Sequence, residues 1–490
     1  MVAPQGDHGR TGPRKMTRDS GVVVFLSRMG NIISDCDTCL RMERGTFFDP
    51  SIETLDRKDL DALVDERVRY TIAYAAENSP FYRHWFAEHG IRPKDIREHE
   101  DLLDLPIVSG KTLRENQPPL TSEFMFRSAP WEEIFTVHET SGTSGTPKSF
   151  FLTWEDWMRY AAKYARIFVS QGFGKGDRVV ICASYGMNVG ANTMTLAARE
   201  IGMTIIPTGK CSFPRRILES YRPTGIVGSV FKLLHLAERL TSEGTDPRET
   251  SLERLVVGGE SFSEEARAYL SQVWDREVYN TYGSTEGTMC GECRKKQGLH
   301  VPEDLVHLDV YDPALRSFVR DGECGRAILT TLLPPGGRCG SLLINYDTED
   351  TTVVMDRGPC PCGRTHMRIY TPQREAETVW ILGTPVNKVD IERGVFHPDS
   401  MQYLTGEYEA FVYSGDHGSV VLRVRMEAKD SARVPRDDVA GRFLSSFSRS
   451  KPSLAPLIGD ELSVIISIEP PGSLELYQVK GRPKRLVDRR

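Results

Sequence analysis

Val179-Val180-Ile181, Thr204-Ile205-Ile206 and Leu255-Val256-Val257 are three short apolar runs rich in β-branched residues. Between them lie stretches with helical spacing: Asn192 to Glu200, Val230 to Leu240 and Glu264 to Trp274. Branched side chains pack well on a pleated surface, so the runs read as strands. Strand–helix alternation from Lys175 to Gly283 predicts a parallel sheet covered by helices on both faces. Downstream the pattern changes. Asp321-Gly322 and Pro334-Pro335-Gly336-Gly337 punctuate shorter strands, so the region after Val301 reads as more antiparallel. Upstream, Leu60, Leu63, Val64, Val68 and Ile72 recur at three- and four-residue spacing, a helix that Asn78-Ser79-Pro80 ends.

The chain has 490 residues, which predicts more than one domain. Residues 1–50 are expected to be a loose tail and lead-in, 51–372 a large domain, and 373–490 a small α+β domain beginning near Pro372-Gln373-Arg374. Hydrophobic residues are 39% and charged residues 27%, enough for a large core and too ordered a composition for wholesale disorder. The net charge of −6 argues against a nucleic-acid binder, which needs a basic face. No apolar run approaches membrane-spanning length, so no membrane partner is expected. Val22 to Leu26 is too short for a signal peptide, with Arg28 close behind. The ten cysteines then read as reduced thiols of a cytoplasmic protein.

The strongest local signal is Thr140-Ser141-Gly142-Thr143-Ser144-Gly145-Thr146-Pro147-Lys148, in which five of nine residues carry hydroxyls. Small residues let backbone N–H groups approach an anion, hydroxyls add donors, and Lys148 adds charge. The Walker spacing is absent. Flexible linkers share this composition, but Phe135-Thr136-Val137 and Phe150-Phe151-Leu152 flank it as strands, which favours a hairpin gripping phosphate.

This segment resembles the phosphate loop of adenylate-forming enzymes, and His138 just before it resembles their phenylacetate–coenzyme A ligase-like branch. Other stretches agree in order: Glu77 to Tyr82, Gly258-Gly259-Glu260, Tyr282-Gly283-Ser284-Thr285-Glu286, Asp350, and Cys360-Pro361-Cys362-Gly363-Arg364-Thr365. The resemblance covers about residues 50 to 490 and implies a large domain of helix-covered sheets with a small mobile C-terminal domain. It also implies that ATP and an acid yield an acyl adenylate and pyrophosphate, with coenzyme A as default acceptor. Glu286 would hold Mg²⁺, Thr285 would contact the α-phosphate, and Asp350 would accept both ribose hydroxyls. Gly258, Gly259 and Glu260 would lie against adenine, and Tyr282, Gly283 and Ser284 would complete the nucleotide site. Arg374 would touch phosphate or ribose near the hinge, and His138 joins the catalytic set. Asp347 and Glu349 depart from the family pattern around Asp350, and an Asp in such an acidic loop also reads as a turn former.

At the C-terminus a gapless match puts Arg482 where the family has its catalytic lysine. Lys480 or Lys484 could serve after a two-residue shift, and either is favoured over Arg482. Cys293, His300, Cys360 and Cys362 suit a structural Zn²⁺ site, while Cys290 and the Cys36, Cys39 pair offer competing thiols. Free buried cysteines are the ordinary alternative. The acid would lie near Tyr185 to Asn188 and Ile205 to Gly209, where Lys210 and Arg215 could meet a second anionic group. Other readings use the same site: adenylation of another oxyanion such as nitrite, for ATP-dependent diazotisation of an aromatic amine, or amide formation without coenzyme A, or nucleotide binding without turnover. A homodimer is the default expectation for the assembly.

Overall fold

The computed structural model describes residues 47–140, 146–479 and 482–490. The expected tail up to residue 46, Cys36, Cys39, Ser141, Gly142, Thr143, Ser144, Gly145 and Lys480 lie outside the described residues.

Helix α1 (Arg57–Asn78) starts where the Asp56 side chain accepts from the Asp59 N–H. Its Leu60, Val64, Val68 and Ile72 are buried, as their spacing predicts. Ser79 ends α1, and its hydroxyl caps α2 (Pro80–Glu88), whose first residue is a proline with no N–H to lose. Phe47 lies under the Arg364 guanidinium, and Glu53 in the next turn pairs with Arg364 at 2.6 Å.

Strands β1 (Ile134–Glu139) and β2 (Ser149–Thr153) form the expected antiparallel hairpin. Helix α3 (Trp154–Ser170) follows behind a Thr153–Asp156 capping box. Then come β3 (Arg178–Ile181), α4 (Gly190–Ile201), β4 (Thr204–Pro207), α5 (Pro214–Tyr221) and β5 (Gly225–Gly228). They are followed by α6 (Val230–Ser242), β6 (Arg254–Gly258), α7 (Glu264–Trp274) and β7 (Glu277–Gly283). The five strands β7-β6-β5-β3-β4 are parallel neighbours in that order. β5 escaped the sequence reading because it has only Ile226 and Val227 between two glycines.

Both faces of this sheet are covered. Val180, Ile226, Leu255 and Val257 pack with residues of α6 and α7. Val179, Ile181, Val227 and Val256 point the other way, into the cluster with α3 and α4. Alternate side chains of one strand thus enter opposite layers, the reason these runs are apolar throughout.

The antiparallel part begins earlier than Val301. β7 already pairs antiparallel with β8 (Met289–Glu292), because a turn as short as Ser284–Thr288 can join only antiparallel neighbours. The sheet continues through β9 (Leu299–His300), β10 (Val306–Asp312), β11 (Ser317–Phe318), β12 (Cys324–Thr331), β13 (Tyr346–Asp356), β14 (Arg368–Ile369) and β15 (Gln373–Arg374). Because β15 still pairs with β13, we place the division between the two parts just after Arg374.

The remainder holds a hairpin of β16 (Val379–Ile381) and β17 (Thr384–Val386), then α8 (Lys388–Val395), β18 (Leu404–Ser414), β19 (Val420–Ala428) and α9 (Arg436–Ser450). It ends in β20 (Leu462–Glu469), β21 (Gln478–Val479), β22 (Arg482–Pro483) and β23 (Leu486–Asp488). Four of these strands form a mixed sheet ordered β20-β19-β18-β23. Its core is continuous with the layer above α6 and α7: Val386, Ile391, Phe396 and Tyr408 share one buried cluster with Phe231 and Leu270. Among the described residues no helix is long and apolar enough to cross a membrane.

Leu255 is fully buried at the centre of the parallel strands. Leu255→Ala is expected to destabilise the protein by about 2–5 kcal/mol, read as a lower urea midpoint.

Candidate active site

The hairpin, the β7–β8 turn and β13 meet at one point. Lys148, at the base of the hairpin, is buried, and its Nζ lies 2.9 Å from Glu286 Oε1. The same ammonium donates to the Tyr346 hydroxyl at the start of β13. A methyl group at Gly110 would lie 3.1 Å from Glu349 Oε1 and 3.4 Å from both Lys148 Nζ and the Tyr346 oxygen, so Glu349 borders the same cluster. Burial works against the charge on Glu286, but the Lys148 ammonium holds its carboxyl below the usual glutamate range.

The hairpin closes through reciprocal bonds at its neck. Thr140 N–H donates to the Lys148 carbonyl at 3.0 Å, and Lys148 N–H donates to Thr140 Oγ1 at 3.1 Å. Thr146 is exposed. On the β7 side, Ser284 N–H donates to the Thr288 carbonyl at 2.9 Å, and this turn carries Thr285 and Glu286. Among the described residues Ser284 Oγ is buried without a partner, a donor free to meet an oxygen ligand.

Asp350 sits beside this pair. Its Oδ2 accepts from the Tyr282 hydroxyl, and its Oδ1 faces Arg374 Nε at 4.0 Å across the β13–β15 ladder. Burial raises its pKa despite those two partners. The acidic neighbour Asp347 is neutralised by Arg326 at 2.7 Å, and Arg326 also holds Glu375 at 2.5 Å. At Asp347 the departure from the family pattern is therefore locally compensated. The Tyr282–Asp350 contact thus joins the end of β7 to β13.

Gly258 and Gly259 end β6 for steric reasons. A Cβ at Gly258 would lie 2.8 Å from Thr281 Cγ2, and Gly259 has φ +84°. Glu260 is engaged by the C-terminal part: Lys388 Nζ bonds its Oε2 at 2.8 Å and the Ser261 carbonyl at 2.8 Å. Lys388 had no signal in the sequence beyond its charge.

His138 sits in a hydrogen-bonded chain. Trp157 Nε1 donates to Thr136 Oγ1 at 2.8 Å, that hydroxyl lies 3.1 Å from His138 Nε2, and His138 Nδ1 lies 3.1 Å from the Met187 carbonyl. Both ring nitrogens are occupied, and burial lowers the pKa, so the ring is neutral with its proton on Nδ1. It orients the Tyr185–Asn188 loop, where Tyr185 and Met187 remain exposed. Arg215 is tied to Glu219 at 2.8 Å.

At the C-terminus, β21 and β22 pair on either side of Lys480 and Gly481. Lys484 Nζ bonds the Ala376 carbonyl at 3.3 Å, two residues from Arg374.

A family description, AMP-binding enzyme, matches residues 62–326, more than half of the chain. The chain belongs to that family. Within it, the phenylacetate–coenzyme A ligase of Thermus thermophilus is 32% identical over 328 residues, covering 66% of this chain and 72% of the relative. The phenylacetate–coenzyme A ligase of Pseudomonas putida is 27% identical, covering 77% of this chain and 85% of the relative. These likenesses put the chain in the phenylacetate–coenzyme A ligase-like branch. In overall fold it matches a crystal structure of 2-hydroxyisobutyryl-CoA ligase in complex with 2-HIB-AMP, with a TM-score of 0.78 at 23% identity, covering 92% of this chain and 94% of the other.

This member of the family also gathers a thiol cluster. Cys293, His300, Cys360 and Cys362 have all their ligand atoms within 4.8 Å of one another. Cys293 Sγ lies 3.8 Å from Cys360 Sγ, and Cys362 Sγ lies 3.7 Å from His300 Nε2. A tetrahedral zinc with Zn–S bonds of about 2.3 Å has S···S edges of about 3.8 Å, so spacing and donor chemistry both fit Zn²⁺. A hydrogen bond from Cys293 holds the Cys362 thiol below its ordinary range. Cys290 is excluded by strand alternation: it points into the apolar core, where burial pushes its thiol up to about 12.

Two outcomes follow from this geometry. Purified protein is expected to contain about one zinc per chain by elemental analysis, and Cys360→Ser to lose most of it. Lys148→Met leaves Glu286 buried and unpaired, which costs about 3–5 kcal/mol at neutral pH. Because the native Glu286 pKa is depressed, the pair's stabilisation is present above the unfolded value and lost as pH falls through the native one. The difference in urea midpoint between wild type and Lys148→Met is therefore widest at neutral pH and narrows on acidification.

Proposed function

We propose that the chain is an ATP-dependent, AMP-forming acid–coenzyme A ligase acting on an aryl or small carboxylic acid. The observation that carries this reading is the convergence of Lys148, Glu286 and Asp350 from three distant stretches, at the carboxyl ends of the parallel strands. The relatives named phenylacetate–coenzyme A ligases support the acid and the acceptor.

The reaction joins two anions, so its barrier is lowered mainly by neutralisation and alignment. A carboxylate oxygen of the acid bonds to the α-phosphorus of ATP, the bond to the bridging oxygen breaks, and pyrophosphate leaves. The thiol of coenzyme A then loses its proton and attacks the acyl carbonyl, releasing AMP. The hydroxyl-rich loop and Lys148 grip the β- and γ-phosphates. Glu286, with Thr285 and Ser284 beside it, would hold Mg²⁺, which supplies charge neutralisation to the triphosphate. Asp350 takes the ribose hydroxyls, and Arg374 flanks it. Gly258 and Gly259 let adenine lie against the end of β6. Lys484 beside Arg374, or Lys480 from the β21–β22 turn, supplies the cation for the attacking carboxylate. His138 shapes the acid pocket without exchanging a proton. Zn²⁺ held by Cys293, His300, Cys360 and Cys362 would be structural, since no ligand position is left open.

The test is pyrophosphate release from ATP across a panel of aryl and short-chain acids, with and without coenzyme A. Release with an acid alone, followed by thioester on adding coenzyme A, is the expected result. Release only with nitrite and an aromatic amine would replace this reading by diazotisation. Glu286→Ala is expected to lower the release rate by about 10²- to 10³-fold with the circular dichroism unchanged.

A further inference from the structure

Lys163 lies in the middle of α3 and is 4% exposed. Burying an ammonium is unfavourable unless its protons find partners. Here Nζ donates to the Gly287 carbonyl at 2.8 Å, one residue beyond Glu286. Asp304 and Asp156 act on it only at longer range, and both are engaged by arginines, Arg166 at 2.5 Å and Arg159 at 2.5 Å. Burial, reinforced by the Arg159 charge, brings the Lys163 pKa down to about 8. The charge is thus directed at a backbone carbonyl of the turn that carries Glu286.

The same helix grips that turn sterically. Gly287 has φ +98°, and a Cβ there would lie 2.7 Å from the Tyr160 hydroxyl oxygen. Tyr160 and Lys163 are three residues apart and share a helix face. Farther along that face, the Tyr164 hydroxyl lies 3.3 Å from Thr281 Oγ1. Ile167 presses on Gly291, where a Cβ would lie 2.5 Å from Ile167 Cγ2. Four residues of α3 therefore bracket β7, the turn and β8. Tyr160 blocks movement of Gly287 toward the helix, while Lys163 resists movement away from it.

We propose that Lys163 is a positioning residue for the adenylation step: by anchoring the Gly287 carbonyl it holds the Ser284–Thr288 turn so that Thr285 and Glu286 face the triphosphate. This rests on the role given to Glu286 above. A lysine that merely filled the layer would be replaceable by an apolar side chain of the same length. A positioning lysine is not, because methionine leaves the carbonyl without its donor and the turn free to rotate Glu286.

Lys163→Met and Lys163→Gln are the test, the second keeping a donor without the charge. Two readouts are taken on zinc-loaded protein with wild-type circular dichroism. The first is the kinetics of pyrophosphate release. Lys163→Met is expected to lower kcat by about ten- to a hundredfold and to raise the Mg²⁺ concentration for half-maximal rate several-fold, with KM for the acid unchanged. Lys163→Gln is expected to recover part of the loss. The second is hydrogen exchange. The Ser284 and Gly287 amides, bonded to Thr288 and Ser284 carbonyls, should exchange faster in Lys163→Met while the β7 and β8 ladders keep their protection. Unchanged exchange at the turn, or an unchanged Mg²⁺ requirement, overturns the proposal. If wild type releases no pyrophosphate with any substrate, the failure belongs to the functional reading, and exchange alone decides whether Lys163 anchors the turn.

Discussion

A lysine ammonium and a glutamate carboxylate, buried 2.9 Å apart, join three parts of the chain that are remote in sequence. Lys148 ends the hydroxyl-rich hairpin, Glu286 lies in the turn between the parallel and antiparallel halves of the large sheet, and Tyr346 opens β13. Neither charge is stable in that setting without the other, because an isolated buried ion is strongly disfavoured. The pair therefore fixes where the hairpin stands relative to the sheet. It also keeps opposite charges side by side at the point where a triphosphate and its cation would arrive. Each partner of the pair is a ready-made ligand for one of those two.

Around this contact the protein builds rigidity in layers. The turn bearing Glu286 is held from behind by α3, and the next strands lead to the thiol cluster, whose loop from Cys360 is seated on residues 47–53. Arg364, two residues after Cys362, pairs with Glu53 at 2.6 Å, and His366 Nε2 lies 3.2 Å from the Ile52 carbonyl. The start of the described chain and the zinc-type loop are thus one packed unit. A structural metal there would brace β8 and β9 against the segment leading to Arg374.

The C-terminal part docks through charge as well as through apolar area. Lys388 bridges Glu260 and Glu392, at 2.8 and 3.1 Å, so the strand end expected to face adenine is linked directly to α8. The Arg485 guanidinium lies 3.3 Å from the centre of the Phe231 ring and pairs with Glu407 at 2.9 Å, while Glu407 meets His235 of α6 at 2.8 Å. The hydrogen bond that His235 donates to Glu407 raises the His235 pKa despite burial.

The amino-acid order by itself determined the alternation of strands and helices and the hairpin around Thr140–Lys148, and it supplied the ordered motifs from which a nucleotide site is expected. Those features are written locally: period-two and helical spacing reflect which face of an element is buried, and a hydroxyl-rich loop needs only its neighbours to be recognised. Glu286 and Asp350 were legible as members of ordered motifs, and the four zinc-type ligands as residue types suited to one metal. Tertiary structure alone decided the rest. It chose Cys360 and Cys362 over Cys290, because strand alternation turns Cys290 into the core. It engaged both ring nitrogens of His138, with Thr136 Oγ1 and the Met187 carbonyl. It gave Lys163 and Lys388 their partners across long sequence separations, where charge carries no information about what it will meet. A buried cation is defined by the carbonyl or carboxylate that folding brings to it, and that partner has no address in the local pattern.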